Sequence, residues 1–177
     1  MKRSLLTLLI VLWISATSFA QLTGVKTVPG DFPTVAAAIA ALNTSGVGTG
    51  GVIFNVAAGP TETFATSTEG YITTLTGSET NPIKFMKAGT GLNPVIIAAA
   101  GVSTNMDAII AIAGTDYVTF DGINLMENTA NTTATTLMEF GYAILKASAT
   151  DGSQYITIKN ATISLNKDHT LSTGIYS

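Results

Sequence analysis

Glu127 and Glu139 are the pair of acids in this chain that would suit glycosidase chemistry, in which two carboxyl groups flank a sugar bond. That chemistry turns on a separation in space, so sequence alone leaves the plainer expectation of solvated acids at strand ends. His169 is the only histidine. A serine–histidine–aspartate relay would have to pass through it, and Asp168 beside it cannot readily orient its ring. A surface loop is its expected place. One histidine without cysteine argues against zinc. Asp116, Asp121 and Asp151 carry oxygens of the kind calcium takes, but their spacing matches no calcium loop. They read as turn and strand-face residues. No catalytic residue, metal or cofactor is therefore assigned, calcium being the one ion these acids would suit. Tyr117 and Tyr155, 38 positions apart, are the candidate ligand-binding residues. Stacked on an outer surface, they would form a small platform for sugar rings or brace the fold.

A repeat is what would position them. Ala108-Ile109-Ile110 through Tyr117-Val118-Thr119-Phe120-Asp121-Gly122-Ile123-Asn124-Leu125 is echoed by Ala143-Ile144-Leu145 through Tyr155-Ile156-Thr157-Ile158-Lys159-Asn160-Ala161-Thr162-Ile163. The second copy carries about three extra loop residues before its tyrosine. Short strands repeating at this period point to a solenoid. Val118 and Phe120 alternate with polar residues, and Ile123 and Leu125 resume the apolar face one position out of phase. A straight strand would throw its second half onto the wrong face. A corner at the slip keeps both halves inward, and Gly122 and Asn160, which fall there, are the types that tolerate left-handed backbone. This predicts a parallel β-helix coil. The alternative is a pair of hairpins in an antiparallel sandwich.

Met1 to Ala20 has the layout of an export signal. Lys2 and Arg3 precede an apolar run from Leu5 to Ile14, and Ser18-Phe19-Ala20 forms a small-x-small cleavage site. The run is too short for a membrane span. Residues 21–177 then hold six lysines, no arginine and eleven acids, a net charge of −5. Such a chain is a poor partner for nucleic acid, whose phosphates are met by lysine and arginine. It is long enough for one domain with its own core. With no cysteine, an exported protein must rely on packing and hydrogen bonds.

Thr34 and Val35-Ala36-Ala37-Ala38-Ile39-Ala40-Ala41-Leu42 predict a capped helix with one apolar face, stopped by Asn43 and Gly46. Its expected place is over the open first coil. Gly48 to Gly51 reads as a flexible linker. Strands are expected at Val52–Val56, Tyr71–Leu75, Ile83–Phe85, Val95–Ile97 and Leu137–Leu145, with Pro82 and Pro94 suited to strand starts. The chain stops at Gly174-Ile175-Tyr176-Ser177, partway through another coil, so that end is expected to be incomplete. Three Asn-x-Ser/Thr triplets, at Asn43, Asn131 and Asn160, read as coincidence in a chain rich in these residues.

Gly30-Asp31-Phe32-x-Thr34-Val35-x-x-Ala38-Ile39-x-x-Leu42, followed by Val52-Ile53-Phe54-Asn55-Val56-Ala57-Ala58-Gly59, resembles the opening of pectin methylesterases and the wider pectin-lyase-like proteins. The later coils resemble generic β-helix repeats of large secreted and surface bacterial proteins. The resemblance covers roughly residues 25–177. It implies an all-β, right-handed parallel β-helix with a short N-terminal capping helix (cap at about 28–46, coils at about 51–177). The esterases follow the strand glycine with an aromatic residue and a glutamate, whereas Gly59 leads here into Pro60-Thr61-Glu62-Thr63. Their paired aspartates, glutamine and arginine have no counterpart, and no arginine follows Arg3. The lyase arginine is missing for the same reason, so neither activity transfers to any position.

The expectation is thus an exported, non-catalytic β-helix segment of a larger surface or secreted protein, a scaffold or interaction surface that touches polysaccharide or another cell-surface component. The alternative is the front portion of a polysaccharide lyase or carbohydrate esterase whose catalytic coils lie beyond Ser177.

Overall fold

The computed structural model describes residues 20–102 and 106–177. The export signal expected at 1–20 lies outside the described residues, Ala20 apart. The chain winds into a parallel β-solenoid of about five turns, each turn laying strands on up to three sheets. The first sheet carries β1 (Leu22–Val28), β2 (Val47–Ala57), β5 (Ile83–Ala88), β8 (Val118–Asp121) and β12 (Thr157–Lys159), in that order. The second holds β3 (Thr61–Thr63), β6 (Val95–Ile97), β9 (Asn124–Met126) and β13 (Ile163–Ser164). The third holds β4 (Tyr71–Ile72), β7 (Ala108–Ala113), β10 (Phe140–Ser148) and β14 (Thr173–Tyr176). All these pairings are parallel, and the antiparallel sandwich is set aside. One antiparallel pair exists among the described residues, where β10 meets the short β11 (Asp151–Gly152).

The corners obey the steric argument made from sequence. Gly122 and Asn160 both sit in left-handed backbone, at φ 73° and 54°, where β8 and β12 give way to the second sheet. Each bend lets Phe120 and Leu125 face the same interior, and both are buried. Because register is kept from turn to turn, like residues stack. Phe54 pairs with Phe85 and Phe85 with Phe120. Their rings lie 4.5 and 4.9 Å apart and nearly parallel. Phe32 joins at one end of the ladder, and Tyr142 meets Phe120 edge-on.

The helix forms as expected, and of its two expected stops Gly46 alone acts. α1 (Val35–Ser45) buries Val35, Ala38, Ile39 and Leu42 against the first coil, where it packs on β1, β2 and β4. Thr34 Oγ1 accepts from Ala37 N, and Gly46, at φ 69°, ends the helix. Asn43 does not stop it. Its side chain instead donates to Tyr71 O and accepts from Thr73 N, pinning the last turn to β4.

Four other expectations need correction. Gly48 to Gly51 is no linker but a bulge within β2: Leu22 pairs with Val47 and Gly24 with Val52, leaving the intervening glycines looped out. A Cβ on Gly51 would lie 2.4 Å from Pro82 O, so only glycine fits there. The Tyr71–Leu75 strand is paired only over Tyr71–Ile72, and the Leu137–Leu145 strand starts at Phe140, after a turn closed by Leu137 N on Thr133 O. The repeat alignment also shifts. Ala108 pairs with Phe140, not Ala143, an offset of 32 against 38 in the other two sheets. The second copy therefore gains six residues, spent on the far end of β10 and its fold-back onto β11.

Candidate functional site

The register places Tyr117 and Tyr155 at one corner of successive turns, just before β8 and β12. The same corner holds Gly51 and Pro82 in the two preceding turns, since Val52, Ile83 and Val118 pair in sequence. At Gly51, in left-handed backbone at φ 78°, glycine relieves that corner of strain. The tyrosines do not, for both lie in left-handed backbone, at φ 54° and 56°. Bulky residues seldom adopt this conformation, at a cost of about 1–2 kcal/mol each. The corner is held by Ile83 N on Tyr117 O and by Tyr117 N on Gln154 O. Asp116 Oδ1 accepts from Gln154 N at 2.7 Å and fastens the upper turn to the lower.

The two rings stack with centroids 4.3 Å apart and planes 18° from parallel. The stacking expected from the repeat is thus present. Stacked face on face along the solenoid, Tyr155 covers Tyr117 and is itself 65% exposed in the last turn of this sheet. Partial burial pushes the Tyr117 phenol above its ordinary range, helped by Tyr155, Glu79 and Asp116.

Glu127 and Glu139 are not solvated strand-end acids. Both are buried, as is His169, which was expected on a surface loop. Glu127 Oε1 accepts from Asn128 N and from Asn131 Nδ2, and its Oε2 accepts from Met138 N at 2.7 Å. Glu139 Oε2 accepts from Asp107 N, while Oε1 stands 3.0 Å from His169 Nε2, outside good hydrogen-bond geometry. His169 Nδ1 accepts from Leu171 N, which leaves the ring proton on Nε2, facing Glu139. For Glu127 the physical reason is the excursion between β9 and β10. Its backbone N–H groups lack strand partners there, and burying them requires acceptors. Glu127 supplies these at Asn128 and Met138, while Glu139 braces the loop before β7 through Asp107 N. Asp168 takes no part.

The remaining acids are scattered. Asp121 accepts from Asn160 Nδ2 at 2.7 Å and pairs with Lys159 at 3.3 Å, and Asp151 lies on β11. Among the described residues no three His, Cys, Asp or Glu side chains gather to hold a metal ion. The Asn side chains of the three glycosylation triplets are all engaged within the fold: Asn43 on Tyr71, Asn131 on Ala99 and Asn160 on Asp121.

Sequence reasoning missed Glu62. From β3 its carboxylate reaches the start of α1, accepting from Val35 N at 2.7 Å and Ala36 N at 2.9 Å. With Thr34 serving Ala37 and Ala38, the four orphan donors of the helix are satisfied. A cleft of about 330 Å³ opens beside it, and four of the five prolines line it, a largely apolar notch. No family model matches the chain, and no curated protein or solved structure matches it.

Proposed function

We propose that this chain is an exported, non-catalytic β-helix, a rigid segment of a surface or secreted protein that meets polysaccharide through the tyrosine corner of Tyr117 and Tyr155. The observation that carries the reading is the backbone under those rings. Two successive turns hold a tyrosine where glycine would be free of strain, and unfavourable backbone of this kind persists where function requires it. An exposed aromatic face is the surface on which the C–H groups of a sugar ring pack.

The likeness of the opening motif to pectin-lyase-like proteins belongs to this proposal as a likeness of architecture only. The use made of the acids supports a scaffold over a hydrolase. Glu127 and Glu139 spend oxygens on backbone N–H groups, a bracing role that leaves them poorly placed to exchange protons with a substrate. The test is to incubate the chain with glycan oligomers and follow binding by calorimetry and products by chromatography. Binding without products, lost on removal of the Tyr155 ring, is the expected result. Product formation would overturn the reading.

A further inference from the structure

We propose that the cleft beside Glu62 is a docking site for an extended, uncharged peptide strand of a partner protein, which adds to the open edge of β3 and sets aliphatic side chains into the cleft. The solenoid is one rung short there. β2, β5, β8 and β12 are each followed in the chain by a strand of the second sheet, whereas β1 is followed by α1. The second sheet therefore begins with β3. The cleft of about 330 Å³, bounded by β3, the end of β1 at Val28 and the start of α1 at Val35, takes the place of the missing rung.

The backbone at this edge is set to pair. Val95 N donates to Pro60 O, and Phe64 N donates to Ile97 O. In a parallel ladder these bonds turn the N–H and C=O of Glu62 toward β6 and those of Thr61 and Thr63 the other way. Both threonines are exposed, and among the described residues β3 pairs with β6 alone. The first strands of the other two sheets are treated differently. Asn43 of α1 engages Tyr71 O and Thr73 N at β4, and Asp31 and Phe32 engage Thr27 N and O on β1. Among the described residues nothing does this for Thr61 and Thr63. Their two N–H and two C=O groups point to the side where the cleft lies.

The walls define the occupant. Val28, Val35, Val56 and Ile96 give the cleft aliphatic surface, and the prolines around it have no N–H to offer. The charged residue in its lining is Glu62, whose carboxylate already accepts from Val35 N and Ala36 N. A strand held there by main-chain hydrogen bonds is selected through its alternate side chains. Aliphatic ones bury apolar area against the four residues, while an acidic one is set beside Glu62 and away from water.

The test uses the full chain and the capped peptide Thr-Val-Thr-Val-Thr, followed by calorimetry and by amide NMR. Binding should shift the Thr61 and Thr63 amides and protect them from hydrogen exchange. Proline is tolerated on an edge strand where its missing N–H faces outward, so Thr63→Pro should keep the unfolding midpoint of the chain. Thr63→Pro, full N-methylation of the peptide, and the peptide Thr-Asp-Thr-Asp-Thr should each weaken binding by about tenfold or more. An affinity unmoved by any of the three, or no binding of the valine peptide, overturns the inference. Self-association of the free chain that Thr63→Pro abolishes would assign the edge to a second copy. Thr61 and Thr63 amides already protected in the free chain would assign it to residues 1–19. Either result also overturns the assignment to a partner strand. The site shares no residue with the tyrosine corner, so its failure leaves the sugar-stacking reading standing.

Discussion

Tyr155 lies ring on ring over Tyr117, 38 residues earlier, with both held in left-handed backbone. Stacked like residues are the normal product of a solenoid in register, and the phenylalanines inside show the same device in unstrained strand backbone. Outside, the device is bought at a backbone cost. A stacked aromatic pair contributes about 0.5–1.5 kcal/mol, no more than the left-handed conformation costs at the two sites together. Stability alone does not account for the pair.

Inside the solenoid the opposite holds. Phe85 is fully buried between Phe54 and Phe120. Phe85→Ala should cost about 3–5 kcal/mol, read as a lower urea midpoint. Phe85→Leu should cost much less. Equal costs would mean that volume, not the ladder, is unimportant at that rung.

Tyr142 offers a stabilising change. Its side chain is fully buried and its hydroxyl finds no partner among the described residues. Tyr142→Phe removes an unsatisfied polar group and should leave stability unchanged or raise it, by about 1–3 kcal/mol at most. A clear loss of stability would show that the hydroxyl is satisfied after all.

Glu62 and α1 supply a third prediction. Glu62→Gln keeps the shape of the acceptor but loses the charge facing two N–H groups and the positive helix end. The expected cost is about 1–2 kcal/mol, with Glu62→Ala costing more. Helical signal should fall first in a thermal scan of either variant.

The dependence on pH has two limbs. Asn160, with Lys159 adding, holds the Asp121 carboxyl below its usual range, and the Thr27 N–H and hydroxyl do so for Asp31. The folded carboxylates bind protons less readily than the unfolded ones, so their contribution is complete above about pH 4 and is lost as pH falls through the folded values. Asp121→Asn should flatten this acid limb in melting temperatures taken from pH 5 to 3. Burial pushes the Tyr71 and Tyr142 phenols up, with Asp107 and Glu139 adding at Tyr71. The unfolded chain ionises its phenols first, so stability should fall as pH rises above about 10. Phenolate absorbance appearing together with unfolding would check it.

What the sequence revealed follows from where the controlling forces act. The corners at Gly122 and Asn160 were legible because a phase slip and a permissive residue coincide locally. The helix was legible from Thr34 and its apolar spacing. The third-sheet register was not, because runs of alanine and isoleucine align equally well at several offsets, and only the β10–β11 fold-back decides between them. The burial of Glu127, Glu139 and His169 was hidden too. For the two glutamates it goes with backbone donors on separate loops, and no side-chain pattern records those. The pairing of Tyr117 with Tyr155 was readable from the repeat, but their left-handed backbone was not, since tyrosine is the last residue that conformation suggests.

The central claim is that Tyr155 is kept at its corner for what it binds and not for what it holds together. Tyr155→Gly tests this most directly, with stability and glycan affinity measured on the same sample. Glycine relieves the strained backbone as it removes the stack, so the unfolding free energy should change by less than about 1 kcal/mol while binding disappears. A loss of several kcal/mol, or glycan binding that survives without the ring, would contradict the account.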